Sequence, residues 1–434
     1  MANPLEIPTR DALLERMARA NRLAFIWLFV QILLLSLLCY VIDWQRVQDE
    51  PLVSIVAALY VTGSFPLTIL QSWGTNKKEI GQLKETTRFG VFDKYRLQEL
   101  YRQTLEKLQL PDNRLPVYIT ADKSLNAQSV HFGLGLLLRS VHGIYLHRQV
   151  LHKLTPAEVQ DLMGHELGHL YRYYLVSDRF QLITLALGAA VGLYLTQLAG
   201  NSYLIGLVVL TVCTGVFWTL ATWPHRRLSQ TIEYLCDDLG AHVHGVNVSI
   251  NGLLKVGADA ELQYAILHFA LAEGSKKNLA IDQIVALIQQ AIPYGTSTAG
   301  ELQEAVGKEI KAQAKAGGEA SLKGFYRYLF AGDPDEALSD EVDEYRLLQA
   351  IPRLDWEAAF TSRKSTIGPE ERLLNDTEIE RLVELMMSDP EKLLFRIPEL
   401  AVRDSSAAHP PLDQRIYYLW FNRQAIEASR RGMR

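Results

Sequence analysis

Three long, uncharged and mostly apolar stretches interrupt the polar parts of this 434-residue sequence. They are Leu23–Ile42, Pro51–Asn76 and Phe180–Pro224. A helix rises about 1.5 Å per residue, so about 20 apolar residues cross a bilayer core of ~30 Å. The first two stretches therefore predict one transmembrane span each. The third is long enough for two spans joined by a turn at Gly200–Tyr203.

Buried core helices are the alternative interpretation of these stretches, but such helices rarely run beyond about 14 uncharged residues. The first stretch is too long for the apolar region of a cleaved signal sequence, and the acids Glu6, Asp11 and Glu15 precede it. We therefore predict four transmembrane helices, the first of which is retained as an anchor.

The basic residues near the span ends predict the orientation of the chain in the membrane. The loop after the first span, Asp43–Pro51, contains one basic residue, Arg46, among three acids. The predicted turn between spans three and four contains no basic residue, whereas the segments before the first span, after the second and after the fourth are basic, so both termini and the large polar regions are predicted to be cytoplasmic. The three cysteines (Cys39, Cys213 and Cys236) are widely scattered and suggest no disulfide framework, which suits a reducing compartment. The basic flanking residues are Arg10, Arg16, Arg19, Arg22, Lys77, Lys78, Lys84, Arg88, Arg226 and Arg227.

Local sequence signals predict elements between the second and third spans. Short β-branched and aromatic runs predict strands at Leu115–Thr120 and His142–His147. A helix is predicted to begin after Thr155, because Pro156 is favoured at the first helical position and Glu158 completes a capping box with Thr155. This helix carries the most informative motif of the chain.

The sequence HELGH places His165 and His169 four residues apart on the predicted helix, and therefore on one helix face. Both imidazoles can bind one zinc ion from this face, while Glu166 is turned toward the space where a water molecule would lie. A helix that carries incidental histidines is the alternative. The motif therefore predicts a catalytic zinc site, with one ion per chain, only if a third ligand can be found.

Glu233 is the expected third ligand, because a hydrolytic zinc site uses three protein ligands and one open position. Glu233 and Asp237 lie on one face of the helix predicted after the fourth span, and Asp237 is expected to accept a hydrogen bond from a ligand histidine. Asp238, His242 and His244 remain alternatives. The other histidines show no paired spacing and are expected to be surface or loop residues; they are His131, His142, His147, His152, His225 and His268.

The motifs together resemble those of the HtpX-like and CAAX prenyl protease-related family of membrane zinc metallopeptidases. That family carries HExxH, a later E-x-x-x-D and a C-terminal HPP…R segment, which correspond here to HELGH, SQTIEYLCDD and AHPPLDQRI. LNAQS at Leu125–Ser129 is similar to the family's Asn-Ala element. The resemblance covers about residues 77–250 and 405–420. It omits residues 249–406, whose pattern predicts short amphipathic helices.

The resemblance implies peptide-bond hydrolysis beside the membrane, and the residues support such chemistry on their own. Glu166 is expected to take a proton from the attacking water and return it to the leaving amine. The resemblance further implies that His409 donates to the developing oxyanion and that Asn126 holds substrate backbone. Arg415 is expected to form an ion pair with an acid on the helix of Glu233.

Two other functions stay open. An intramembrane metalloprotease would carry HExxH inside a span, but the polar neighbours Glu158, Asp161, Arg172 and Asp178 argue against that placement. A non-catalytic, metal-binding membrane scaffold would not need the base Glu166. The substrate stays open as well: damaged membrane proteins, as in bacterial quality control, or one specific peptide or prenylated protein.

We thus predict a mainly helical α+β fold, with four transmembrane helices and a cytoplasmic zincin-like metalloprotease domain that contains a small sheet. The expected location is the bacterial inner (plasma) membrane, and the expected partners are the bilayer and a peptide or protein substrate, without nucleic acid. Zn²⁺ is the expected cofactor, and the oligomeric state stays open. The predicted parts are a cytoplasmic N-terminal segment (1–22), spans one and two (23–76), the zincin-like domain (77–179), spans three and four (180–224), the third-ligand helix (225–250), a helical insertion (251–405) and a C-terminal closing segment (406–434).

Overall fold

The structure is a computed structural model of the chain, and within the residues it describes the fold is mostly helical with a small mixed sheet. The prediction of a mainly helical α+β fold is confirmed. The described residues are 7–49, 51–62, 76–111, 115–130, 142–176, 180–199, 203–275, 284, 288, 299–315, 351–359, 374–397 and 409–433.

Helices of very different lengths dominate the chain. In chain order they are α1 (Arg10–Val41), α2 (Trp44–Asp49), α3 (Pro51–Thr62), α4 (Lys94–Lys107), α5 (Val150–Lys153), α6 (Pro156–Leu167), α7 (Gln181–Ala199), α8 (Tyr203–His244), α9 (Val246–Ser275), α10 (Ala299–Lys315), α11 (Asp376–Ser388), α12 (Leu412–Phe421) and α13 (Arg423–Met433).

The main sheet has four strands in the order β1 (Lys77–Glu79), β4 (Val117–Thr120), β6 (Gly143–His147) and β5 (Ala127–Val130). β4 and β6 are parallel, whereas β1 and β5 pair antiparallel to their neighbours. Both strands predicted from the sequence, β4 and β6, are therefore confirmed. The remaining strands, β2 (Arg88–Phe89) and β3 (Phe92–Asp93), form a separate antiparallel pair.

One hydrophobic core joins the sheet to the helices around it. α4 buries Leu97, Leu100, Tyr101 and Leu105, which recur every three or four residues along one helix face. α6, the second half of α8, α9 and α12 contribute further buried side chains to the same core. This core holds the HExxH helix beside the sheet.

The helix that carries HExxH begins as the sequence predicts. The Thr155 side chain accepts a hydrogen bond from the backbone N–H of Glu158, and the Glu158 carboxylate accepts one from the backbone N–H of Thr155 at 2.7 Å. Such a reciprocal pair satisfies two backbone donors that a helix start leaves unpaired. α6 continues into a π-helical turn, Gly168–Arg172, which contains His169. π-helical turns occur frequently at functional sites.

Among the described residues, two helices are long and apolar enough to cross a membrane by length and composition. They are α1 and residues Gln181–Leu198 of α7, which correspond to the first and third predicted spans. Leu52–Val61 and Leu204–Leu220 are shorter apolar helices within the other two predicted spans. Residues 63–75 and the predicted turn at 200–202 lie outside the described residues. The count of four spans therefore stays a prediction.

Three of the predicted boundaries fall inside continuous helices. α1 begins at Arg10 rather than after residue 22, and residues 224 and 225 lie within α8, so the fourth predicted span and the third-ligand helix are one helix. Residues 250 and 251 lie within α9. A helix satisfies its backbone internally in both lipid and water, so a change from apolar to polar sequence need not end it. Pro224, the last residue of the fourth predicted span, lies inside α8 and does not end it.

The described parts of the predicted insertion, residues 251–405, do not form one separate unit. Leu354, Trp356 and the buried face of α11 belong to the main core. The second half of α9 and α10 instead form a smaller cluster around Ile266 and Val306. The stretches AKAGGEAS (314–321) and AGDPDEALSD (331–340) interrupt the predicted amphipathic helices, and apart from residues 314 and 315 they lie outside the described residues.

Candidate metal centre

Glycines allow α6 and α8 to approach each other closely at the HExxH motif. A Cβ atom on Gly168 would lie 2.8 Å from Cys236 Sγ, and one on Gly164 would lie 3.1 Å from the Cα atom of Gly240. Side chains at these positions would therefore push the two helices apart. The close crossing brings the histidine face of α6 against the face of α8 that carries Glu233 and Asp237.

The three predicted ligands converge at this crossing. One potential ligand atom from each of His165, His169 and Glu233 lies within 4.8 Å of the others. The two histidine Nε2 atoms are 3.2 Å apart. Glu233 places Oε2 3.5 Å from His165 Nε2 and Oε1 3.4 Å from His169 Nε2. The structure thus brings together the ligand set that the sequence predicts.

The hydrogen bonds around these residues fit a bound metal cation. His165 Nδ1 lies 2.9 Å from Asp237 Oδ1, so Nδ1 carries the proton that this contact needs and Nε2 keeps its lone pair. That Nε2 atom points to the same region as His169 Nε2. Glu233 is buried, and among the described residues its Oε2 atom faces imidazole nitrogens alone, 3.5 Å from His165 Nε2 and 3.0 Å from His409 Nδ1. Two imidazole nitrogens and one carboxylate are ligands that zinc prefers.

The electrostatic environment of the two histidines also favours one cation between them. Burial lowers the pKa of His165, but its hydrogen bonds with Asp237 and Glu233 outweigh burial and raise that pKa to about 10. Burial and the neighbouring His165 lower the pKa of His169 to about 4. The two histidines together therefore accommodate one positive charge, and His169 stays neutral beside it.

Asp237 links the ligand His165 to Arg415. Arg415 Nε donates to Asp237 Oδ2 at 2.7 Å, while the other carboxylate oxygen contacts His165. Burial raises the pKa of Asp237, but the charge of Arg415 outweighs burial and lowers it. A carboxylate that stays ionised fixes the tautomer and orientation of a ligand histidine. The contacts agree with the roles expected for Asp237 and Arg415.

Glu166 is buried beside this set and lines the same cleft. Burial raises its pKa, as does the charge of Glu233, whereas a hydrogen bond with Ser129 on β5 lowers it. A raised pKa brings a carboxylate closer to the range that suits a general base near neutral pH. Ser129 is the last residue of the LNAQS element, but no sequence signal predicts its contact with Glu166.

His409 returns to the centre from the C-terminal part of the chain. Its Nδ1 atom lies 3.0 Å from Glu233 Oε2, and 62% of its side chain is exposed. An imidazole that is partly exposed and borders the cleft can contact a bound substrate. Pro411 caps α12, which also carries Arg415, so one short segment delivers both residues.

Asn126 lies at the start of β5 and lines the cleft. Its Oδ1 atom accepts a hydrogen bond from the backbone N–H of Ala127 at 2.9 Å, and its carbonyl accepts one from the backbone N–H of His147 at 3.2 Å. These local hydrogen bonds hold the backbone where β5, an edge strand of the main sheet, begins. The expected contact of Asn126 with substrate stays a prediction.

The alternative third ligands lie in other contacts. Asp238 Oδ2 accepts from Arg10 Nε at 2.7 Å, and His242 Nδ1 contacts the Asp238 carbonyl at 2.6 Å. His244 Nε2 lies 2.6 Å from Gln160 Oε1. Neither His131 nor the side chain of His225 belongs to the described part of the chain. His147 and His268 are buried rather than on the surface, where they contact Ser124 and Tyr264.

A cleft of about 1090 Å³ opens at the metal-ligand set. β5 forms one wall, α6 and α8 form the base, and α9 forms the opposite wall. The cleft extends along α9 as far as Gln263. The sequence reasoning did not predict the wall formed by α9, because no motif there signals contact with the HExxH helix.

Comparison with known proteins identifies a family for this arrangement. No curated protein and no solved structure matched the chain. The sequence model of peptidase family M48 matches residues 93–419, which is more than half of the chain. The match includes HELGH, Glu233, Asp237, His409 and Arg415, and it agrees with the resemblance drawn from the motifs. The chain therefore belongs to peptidase family M48 and is a metallopeptidase.

Proposed function

We propose that this protein is a zinc-dependent endopeptidase anchored in a membrane, with its active site at the cytoplasmic face. The observation that carries the proposal is the convergence of His165, His169 and Glu233 on one point, with Glu166 beside them. His165, His169 and Glu233 would hold the ion. When bound, zinc acts as a Lewis acid and lowers the pKa of a water molecule to about 7.

The protein's own groups supply the proton transfers and the orientation of the substrate. Glu166, whose pKa is raised by burial, accepts a proton from the attacking water and returns it to the leaving amine. His409 lies at the mouth of the cleft, where its ring can donate to the developing oxyanion. Asp237 and Arg415 hold His165 in the orientation that presents Nε2.

The shape of the cleft supports an endopeptidase. Among the described residues β5 pairs with β6 on one side only, and it lines the cleft, so it can pair with an extended peptide on its other side. The cleft follows residues 124–129 and continues along α9, which leaves room for several residues of substrate. A substrate bound in this way would need no free terminus at the metal centre.

The anchoring of α1 to the catalytic region supports a location at the membrane face. Arg10 binds Asp238, and Asn21 Nδ2 donates to the carbonyl of Tyr174 at 3.0 Å. The first turns of α1 thus belong to the same body as the cleft, while the apolar residues from Leu23 onward are largely exposed. Reporters fused after Lys78 or Arg434 should report cytoplasm, and one in Asp43–Glu50 the opposite side. A cytoplasmic result for that loop would refute the orientation.

The chemistry is tested on purified full-length protein by measuring zinc content and hydrolysis of an unfolded protein substrate. Wild type should contain about one zinc and cleave the substrate, whereas Glu166→Gln should keep the zinc and lose at least about 10²-fold in rate. Glu106→Gln, on the exposed face of α4, is the matched control and should behave as wild type. Zinc without any hydrolysis in wild type would favour the non-catalytic scaffold.

Cleavage of internal bonds decides between endopeptidase and exopeptidase. Mass spectrometry of the products should show cuts away from both substrate termini. Release of single terminal residues would refute endopeptidase activity. A location at the cytoplasmic face of a membrane favours a role in membrane-protein quality control. Cleavage limited to one peptide or to prenylated substrates would refute that role and assign a specific substrate instead.

A further inference from the structure

The cleft continues from the metal ligands toward the start of α6, where it passes Asp161. Asp161 precedes His165 by four residues, so both side chains lie on the same face of the helix. The walls beside Asp161 are apolar and include Leu162 from α6 and Leu253, Val256 and Ala260 from α9. This end of the cleft is therefore a channel in which apolar side chains lie near carboxylates, including that of Asp161.

Asp161 differs from the two other acids at this end of the cleft. Glu158 pairs with Lys255 at 2.9 Å, and Asp259 pairs with Lys153, in contacts that are all buried. Asp161 has one described side-chain partner, the Ser249 hydroxyl, which donates to Oδ1. In the described part of the chain, no lysine or arginine pairs with Asp161. Burial raises the pKa of Asp161 to about 7, an effect that a cationic partner would oppose.

The acceptor groups of this region are not all satisfied by the protein. Glu158 is 1% exposed and lines the cleft, and its Oε1 atom has no hydrogen-bond partner among the described residues. Asp161 Oδ2 likewise receives no hydrogen bond from the described residues. Buried carboxylate oxygens are normally hydrogen-bonded, so Glu158 Oε1, beside the half-buried carboxylate of Asp161, indicates a donor that the substrate brings.

We propose that Asp161 is a specificity-determining residue that binds the cationic end of a lysine or arginine side chain of the substrate peptide. The apolar side chains of this channel would contact the methylene stem, because long cationic side chains bury their stems while the charged end meets a polar partner. One helical turn separates Asp161 from His165, so the bound residue lies close to the cleaved bond. This proposal rests on the proposed peptidase function.

The test uses pairs of peptides that differ only by lysine or norleucine, at each of three positions on either side of the cleaved bond. Wild type should favour lysine by about tenfold or more in kcat/KM at one position or more, as expected for a hydrogen bond to a charged group. Asp161→Asn, which keeps the shape but removes the charge, should bring that ratio to about 1. Glu106→Gln should keep the wild-type ratio.

A second variant supplies the cation from the protein itself. A Cβ atom on Gly252 would meet no atom within 4 Å, and Gly252 lines the cleft one turn from Ser249. Gly252→Lys should therefore fill the channel with a cation and abolish the preference for lysine. Gly252→Met introduces a side chain of similar length without a charge, so any peptide that still binds should show the preference for lysine. These variants test the proposal even if Asp161→Asn fails to fold.

Binding measurements separate this proposal from the proposed function. The same peptides, labelled with a fluorophore, are titrated into Glu166→Gln protein and into Glu166→Gln with Asp161→Asn. Tighter binding of the lysine peptide to the first alone supports the role of Asp161. Equal ratios in wild type and Asp161→Asn, or equal binding of lysine and norleucine peptides, would overturn it. Absence of hydrolysis combined with a lysine preference in binding would count against the peptidase function alone.

Discussion

The two ends of the HExxH helix bury charged groups in opposite ways. At its start, Glu158 with Lys255 and Asp259 with Lys153 form pairs whose charges cancel. At its end, the carboxylates of Glu166, Glu233 and Asp237 surround the histidines, and Arg415 is the permanent cation in direct contact with them among the described residues. The difference teaches that buried pairs hold helices together, whereas an excess of acceptor atoms marks the place for a divalent cation.

The largest effect of a substitution is expected at the metal end of the helix. Glu233→Ala removes a ligand, so we expect loss of bound zinc and of all hydrolysis above background, measured by metal analysis and a peptide assay. Glu166→Gln is the control, because it should lose rate while keeping zinc. An unchanged zinc content in Glu233→Ala would move the third ligand to another residue.

At the other end, Lys255→Met should destabilise the protein without changing the zinc content of the folded fraction. The variant leaves the Glu158 carboxylate buried and unpaired, which typically costs about 3–5 kcal/mol of unfolding free energy. Denaturant unfolding in detergent measures the loss. The matched control is Lys308→Met in the exposed pair with Glu304, which should cost less than about 1 kcal/mol. Equal losses in both variants would refute the structural role of the buried pair.

The metal end could be predicted from the sequence because its signals are local. The i,i+4 spacing of His165 and His169, the spacing of Glu233 and Asp237, and the capping box at Thr155 all lie within single helices. Their chemistry is specific enough to indicate a ligand set. The close crossing of α6 and α8 at their glycines cannot be predicted from the sequence, because contact between these helices depends on the tertiary fold.

The start of the helix was not predictable in the same way. Lys255 of α9 meets Glu158 of α6, and Lys153 of α5 meets Asp259 of α9, only in the folded packing of these helices, and no residue spacing signals either contact. The strands β1 and β5 are not predicted from residue patterns either, because KKE and AQSV lack the run of β-branched and aromatic residues that indicates β4 and β6. The change in hydropathy at residue 224 predicts a boundary there, but α8 continues through it.

His409 tests whether the metal end extends to the C-terminal segment. If His409 donates to the oxyanion, His409→Ala should lower kcat and kcat/KM together by about 10²–10³-fold, with nearly unchanged KM and zinc content. Steady-state kinetics and metal analysis measure both. Loss of zinc would instead make His409 a positioning residue or ligand, since its Nδ1 atom lies 3.0 Å from Glu233. Wild-type turnover would leave it no role in the reaction.

The smallest expected effect concerns Asp161, the acid near the start of the helix for which the described residues offer no lysine partner. Burial raises its pKa from an ordinary value of about 4 to about 7, so between these values the folded protein holds a proton that the unfolded chain has released. Stability from this group is therefore present at low pH and is lost as pH rises toward 7.

Asp161→Asn cannot lose a proton, so it should be more stable than wild type at pH 8 and nearly equal at pH 4. The expected difference is roughly 1–2 kcal/mol of unfolding free energy, after allowance for the part of the carboxylate that faces the cleft. Thermal unfolding in detergent at the two pH values measures it, with Glu106→Gln as the exposed control. A gain that is the same at both pH values would show that the charge of Asp161 is not the cause. A gain confined to pH 8 would show that this carboxylate is kept at a cost to stability, as expected for a residue retained for binding rather than for folding.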